Sequence, residues 1–282
     1  MEICVAGMGI IGGSMCLALK RAGHRVYGWN RSKEALEYAF NHSIIDGTAQ
    51  TFENFDVVFV ALPPEATVNF IDENTFKDGA VVADVCGVKK YIADAVYSKP
   101  RNFQYVGCHP MAGKEVSGIV NACEHLFDWA SMIVVRGEAE DFAIKIVWDL
   151  VRDMGFGRIV ECSAELHDRK IAYTSQLAHI VSNAYVKDSE IAGCIGFTGG
   201  SFQDMTRIAG VDENMWASLY LKNADNLTQK LDKLISSLEE VQSALNRGDS
   251  GWLCEILRVG KERFASGKKN VMTPDIFVQN LK

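Results

Sequence analysis

Up to residue 162, apolar positions cluster in short unbroken runs: ICVAG, HRVYGW, DVVFVALP, AVVADV, YVGCHP, SMIVV and RIVEC. These runs are rich in β-branched residues and lack the polar alternation of a half-exposed strand, so they suit strands covered on both faces. Between them, residues 12–22, 33–41 and 140–154 have the pattern of amphipathic helices. Strand and helix in alternation predict a doubly wound, mainly parallel α/β sheet of Rossmann type.

After ECSAE the strand pattern stops. Ser163 reads as an N-cap and Glu165 as a first-turn acid, opening a helix that runs to about Lys187. A glycine-rich interval, GCIGFTGGSF, follows. Two long helices are then expected over 213–245 and 251–265, with SGKKNVMTP as a loose tail. The expected organisation is a dinucleotide-binding domain over 1–162 and an all-helical domain over 163–282, with no internal repeat and no third, regulatory domain.

Composition narrows the function. With 48% apolar and 23% charged residues the chain is a folded soluble protein, and its formal charge of −7 argues against nucleic acid as a partner. Eight scattered cysteines without a CxxC pair, and no signal peptide, point to a reducing cytoplasm rather than a disulfide framework. The longest apolar runs are of strand length, so no membrane span is expected, and no metal site is expected either.

VAGMGIIGGS puts Gly7, Gly9 and Gly12 in G-x-G-x-x-G spacing after the first strand and at the mouth of a helix. The first glycine permits the tight turn, the second lets a pyrophosphate approach the backbone, and the third lets helix and strand pack closely. The helix N-terminus then offers free N–H groups to the phosphates. The alternative is a merely tight turn, but the strand–turn–helix context favours a dinucleotide. Met8, Ile10 and Ile11 complete that turn, and Leu62 and Pro63 close the neighbouring run DVVFVALP on the cofactor side.

At the end of the second strand, where an NAD site usually has Asp or Glu for the ribose hydroxyl, the sequence reads GWNRSK. Asn30 is neutral, and Arg31, with Ser32 and Lys33 beside it, could pair with a 2′-phosphate. The competing reading is solvated charge at a helix start. NADP is therefore favoured over NAD.

His109 ends a strand and is followed by Pro110, so it stands at the carboxyl edge of the sheet, where ligands of open α/β folds bind. Taken alone it reads equally as structural or catalytic. On the long helix, Gln176, His179 and Asn183 share one stripe in apolar surroundings, which either lines a cleft or carries an internal hydrogen-bond network.

HPMAGKEVSG, LHDRKIAYTSQLAH and GGSFQDMTRIAGVDENMW, in that order behind the glycine fingerprint, resemble the prephenate/arogenate dehydrogenases of tyrosine biosynthesis over roughly residues 1–265. The resemblance implies a Rossmann domain, a helical domain that builds a homodimer, and an active site in the cleft between them. It implies oxidation of prephenate at its ring hydroxyl carbon, with loss of CO2 and reduction of NAD(P). It assigns His109 to the ring hydroxyl as base, which suits a neutral imidazole. It assigns Arg207 to the ring carboxylate, where a guanidinium fork suits a planar anion, against the alternative of a surface salt bridge. His179, and Gln176 in place of a family histidine, fall on substrate-contacting positions, so the resemblance favours the cleft for the stripe. Lys114, in place of a common threonine, could meet the side-chain carboxylate. His167 and Asp168 match a family HD pair and are expected only to organise a helix end. The glycine-rich loop is expected to reach the partner subunit's site, through Gln203, Asp204 or Trp216.

One departure concerns the base itself: a family serine that assists the histidine is Gly87 here, leaving Cys86 or a water to replace it. A cationic Lys114 would repel the ammonium of arogenate, and His179 could bond a keto oxygen, so prephenate is the favoured substrate. The rival readings are another two-domain dehydrogenase, of β-hydroxyacid dehydrogenase or imine reductase type, and a catalytically silent NADP-sensing regulator. The former usually carry a catalytic Lys or Asp on the interdomain helix, which this stripe lacks. The latter is disfavoured by the presence of both His109 and Arg207.

Overall fold

Burial along the central strands follows the unbroken apolar runs. In β1 (Ile3–Ala6), Ile3 and Val5 join one core while Cys4 and Ala6 join the other, and all four are fully buried. Side chains alternate across a strand, so a run apolar at every position must be covered on both sides. One side is covered by α1 (Ile10–Arg21), α2 (Lys33–Asn41) and α5 (Asp141–Asp153). The other is covered by α3 (Pro64–Glu73) and α4 (Lys90–Tyr97). Two of the cysteines, Cys4 and Cys16, serve these cores as small apolar groups, and all eight are free thiols.

The computed structural model describes residues 1–114, 116–271 and 278–280. Beyond β1 the strands are β2 (Val26–Trp29), β3 (Gly47–Thr48), β4 (Val57–Val60), β5 (Val81–Asp84), β6 (Gln104–Pro110), β7 (Ser131–Val135), β8 (Arg158–Glu161) and β9 (Val278–Asn280). Their order across the sheet is β3-β2-β1-β4-β5-β6-β7-β8-β9. Every pairing is parallel except β6 with β7. The order turns back between β1 and β4, which makes that crevice the topological switch point. The seven apolar runs are β1, β2, β4, β5, β6, β7 and β8. The two-residue β3 and the edge strand β9 carry no such run.

The helical half opens as its sequence suggests, with Ser163 Oγ accepting from Leu166 N at 3.2 Å ahead of α6 (Ala164–Ile171). A π-turn over Ala172–Gln176 leads into α7 (Leu177–Tyr185), and α8 (Gly200–Thr206) follows the glycine-rich interval. The single helix expected over 213–245 is two, α9 (Glu213–Lys222) and α10 (Ala224–Arg247). They break at Asn223, which is 4% exposed and donates to the Asp168 carbonyl (2.8 Å) and to Gln176 Oε1 (2.7 Å). Asparagine is a poor helix former because its amide competes for such bonds. The last helix, α11 (Ser250–Val271), extends through most of the segment expected to be loose. The rest of that segment, Met272 to Pro274, lies outside the described residues. Residues 278–280 pair with β8, so the all-helical description holds only to Val271.

The two halves are joined at the start of α4. That helix has no cap from its own neighbourhood; instead the Asp168 carboxylate accepts from Lys89 N (2.8 Å) and Lys90 N (3.0 Å). Beside it, Lys89 and Asp84 form an ion pair with both side chains buried, and Asp84 also accepts from Tyr105 OH at 2.6 Å. Breaking such a buried pair typically costs about 3–5 kcal/mol, so the β5–α4 turn is firmly held. Among the described residues no helix is long and apolar enough to cross a membrane.

Candidate active site

At the switch point the glycine turn has the geometry of a phosphate cradle. Gly7 has φ +107, and a Cβ on it would stand 2.2 Å from Ala61 O; one on Gly12 would stand 1.8 Å from Gly7 O. A Cβ on Gly9 would meet nothing within 4 Å, so the open space lies in front of that residue. Gly9 caps α1 without a side-chain bond, and the first turn carries no acid, so its N–H groups are offered to an anion. These residues fit the pyrophosphate of a dinucleotide.

The surrounding residues divide into braces and exposed groups. Asn30 is a brace: its Oδ1 accepts from Met8 N at 3.0 Å and its Nδ2 donates to Ser32 O at 3.2 Å. Ser32 caps α2 and donates its hydroxyl to Glu34 Oε2 at 2.7 Å, so that hydroxyl is already engaged. Its hydrogen bond holds the Glu34 carboxyl below the usual range. Arg31 is exposed and makes no ion pair among the described residues. Met8 is buried, Ile10, Ile11 and Leu62 are half-buried, and Pro63 is exposed where it caps α3.

At the same edge of the sheet, His109 is partly buried near the end of β6. Its Nδ1 lies 2.9 Å from His167 Nε2, and His167 Nδ1 lies 2.6 Å from Asp168 Oδ1. Burial, reinforced by His167 and the Lys89 ammonium, holds the His109 pKa well below its ordinary 6.5. Burial also lowers that of His167, against the pull of Asp168. Both rings are therefore neutral at physiological pH. His167 and Asp168, expected only to organise a helix end, are in fact the partners of the candidate base.

Gly87 does sit beside this histidine: a Cβ there would be 3.9 Å from His109 Cε1 and 3.4 Å from a methyl of Leu219 on α9. Cys86 does not substitute for the missing serine. Its buried thiol bonds Leu62 O (3.1 Å) and Thr67 Oγ1 (3.3 Å), and burial pushes its pKa up.

The polar stripe forms an internal network. From α7, His179 Nδ1 meets Ile208 O (3.0 Å), Ser182 Oγ meets Met205 O (2.6 Å) and Asn183 Nδ2 meets Ala209 O (3.3 Å). Three side chains thus hold the backbone on both sides of Arg207, which is itself exposed. Gln176 is 2% exposed and bonded to Asn223 and to Leu219 O, so it supports the junction from inside. Trp216 packs on His179 of its own chain, with ring centroids 4.0 Å apart. Lys114 lies in the exposed segment after β6, held by no hydrogen bond or ion pair among the described residues. Leu219 links the base to this region, since it packs by Gly87 and shares α9 with Trp216.

Residues 15–161 match the family model for the nucleotide-binding domain of prephenate dehydrogenase, and residues 163–259 match that for its dimerization domain. The chain is 30% identical over 276 residues to prephenate dehydrogenase of Bacillus subtilis, covering 92% of this chain and 74% of that protein. It is 27% identical over 270 residues to cyclohexadienyl dehydrogenase of Zymomonas mobilis, covering 90% and 92%. Among solved structures, prephenate dehydrogenase from A. aeolicus, in complex with hydroxyphenyl propionate and NAD+, superimposes with a TM-score of 0.81 at 26% identity, over 94% of this chain and 98% of that one. With the glycine cradle and the strand-end histidine on one edge of the sheet, these matches make the chain a member of the prephenate dehydrogenase family, the NAD(P)-dependent enzymes of oxidative decarboxylation.

Proposed function

We propose that the chain oxidises prephenate in preference to arogenate, uses NADP in preference to NAD, and works as a homodimer in the cytoplasm. His109 is the base: as the ring carbon loses hydride, the hydroxyl proton becomes acidic and the neutral imidazole takes it. NAD(P)+ would supply the hydride acceptor, held by the Gly7–Gly12 turn with Leu62, Pro63 and the end of β2. Arg207 holds the ring carboxylate, whose departure as CO2 leaves an aromatic ring and makes the step effectively irreversible.

The observation that carries this reading is His109 on the same sheet edge as the glycine cradle, where burial holds its pKa below the ordinary value. His179 is expected to do less for substrate choice than its position suggested. Its Nδ1–H is engaged by the Ile208 carbonyl, which leaves only Nε2 to meet a ligand. The preference for prephenate rests on exposed Lys114, which disfavours an ammonium, and on the similarity to the prephenate dehydrogenase of Bacillus subtilis. Exposed Arg31 and the absence of a carboxylate at Asn30 support NADP.

Leu238, Leu245 and Leu257 are 60–70% exposed on α10 and α11 of the single chain, as expected of faces that pair in a dimer. Eight unpaired thiols suit a reducing compartment.

The test is an absorbance assay of reduced cofactor, with prephenate and arogenate each tried against NAD and NADP, beside light scattering for the dimer. His109→Asn should lower kcat by about 10²–10⁴-fold with KM little changed. Near-normal kcat in that variant, or no turnover of either acid by the unaltered protein, would sink the reading.

A further inference from the structure

We propose that Asp168 is a positioning residue that sets the tautomers of His167 and His109 and so leaves Nε2 of His109 bare to act as the base. This inference rests on the role given to His109 above. Asp168 is 2% exposed, and its carboxylate already accepts from the amides of Lys89 (2.8 Å) and Lys90 (3.0 Å). Toward His167 Nδ1, 2.6 Å away, it is again an acceptor, so the imidazole must donate. A neutral imidazole carries one N–H, which leaves His167 Nε2 as a lone pair. His109 Nδ1, 2.9 Å from that lone pair, must donate in its turn, and its own Nε2 is then unprotonated.

A doubly protonated His167 would break this order, and burial of both rings disfavours it. The charged groups facing the pair are Lys89 and Asp84 from the β5–α4 turn and Asp168 from α6. Buried Lys89 opposes a proton on either ring, while Asp168 and Asp84 favour one on His167. When the substrate hydroxyl gives its proton to His109 Nε2, the Nδ1–H of His109 keeps donating to His167 Nε2, and the new positive charge is stabilised by Asp168 through the His167 ring. The same carboxylate caps α4 of the sheet half, so docking of the helical half and preparation of the base are one event.

Nitrogen-15 NMR of histidine-labelled full-length protein at mildly alkaline pH reads the tautomers without any turnover. Both rings should carry their proton on Nδ1, and a His109 protonated on Nε2 would overturn the proposal. Asp168→Asn can donate to His167 and reverse both rings; kcat should fall by about 10²–10⁴-fold with the His109 signal moving to the Nε2–H form. Retention of kcat within about threefold would also overturn it. Should that variant fail to fold, His167→Gln, which can still accept from His109, should exceed His167→Leu in kcat by about tenfold, the worth of one hydrogen bond. Equal losses would count against the proposal. A wild-type protein with the expected tautomers but no turnover would instead refute the substrate reading and leave the relay standing.

Discussion

His179 donates from Nδ1 to the carbonyl oxygen of Ile208 at 3.0 Å, and so holds the peptide that carries Arg207. Ser182 and Asn183 take the carbonyls of Met205 and Ala209 on either side. The stripe on α7 therefore sets the backbone of the arginine.

Arg207→Gln should act mainly through substrate affinity. Truncating one partner of a hydrogen-bonded charge pair costs about 2–5 kcal/mol, and Arg207 is exposed in the single chain, so about 2 kcal/mol, or roughly thirtyfold in KM for prephenate, is expected. The value of kcat should fall less. Steady-state kinetics decide the matter, and an unchanged KM would assign the ring carboxylate to another group.

The three glycines of the first turn should fail in different ways. Gly9→Ala puts its methyl into open space, so thermal stability should hold while NADP titration shows affinity lost by about tenfold or more. Gly12→Ala drives a methyl to 1.8 Å from Gly7 O and should destabilise the fold by about 3 kcal/mol or more. Equal loss of melting temperature in both variants would contradict the cradle.

Cofactor preference should be reversible at the end of β2. Arg31 is exposed and free of ion pairs among the described residues, and a charge-assisted bond to a 2′-phosphate is worth about 1.5–3 kcal/mol, roughly ten- to a hundredfold for NADP. In Asn30→Asp with Arg31→Ala the carboxylate keeps the acceptor for Met8 N and gains one for a ribose hydroxyl, so NAD should become the better substrate. A lower KM for NAD than for NADP in the unaltered protein would show that Arg31 serves only the solvent.

Stability should fall as pH drops below about 6.5, the ordinary histidine value. His109 and His167 both have folded pKa values lowered by burial, so in this window the unfolded chain binds protons that the native protein does not. Protons then favour unfolding, and the contribution is fully restored above the unfolded pKa. Urea unfolding followed between pH 7.5 and 5.5 should show the midpoint declining on the acid side, less so in His109→Asn. Catalysis should persist in the same window, because the base stays unprotonated in the folded enzyme. A midpoint insensitive to pH there would mean that neither ring is held neutral.

How much of this was legible in the chain depended on how far apart the interacting groups lie. The Ser163 cap and the bounds of α2 are set within a few residues, by caps and apolar spacing, and they read directly. So did the glycine turn, whose three close approaches lie within a strand–turn–helix segment. The break at Asn223 did not, because its amide bonds partners 47 and 55 residues away and local propensity alone leaves the helix continuous. Nor did β9, which pairs with β8 although more than a hundred residues of chain separate them.

The site divides along the same line. His109 could be placed at a strand end, and Arg207 in its motif, from the order of residues alone. Their partners could not, since His109 meets a ring 58 positions on and the backbone around Arg207 is held by a helix some 25 positions before it. His167 and Asp168 read as a helix start because that is their local role. Only packing α6 on α4 turns the same two side chains toward the base. Backbone preference and apolar periodicity act over a few residues and are written in the chain. Which lone pair faces which N–H depends on elements brought together by the burial of two cores, and it exists only in the folded molecule.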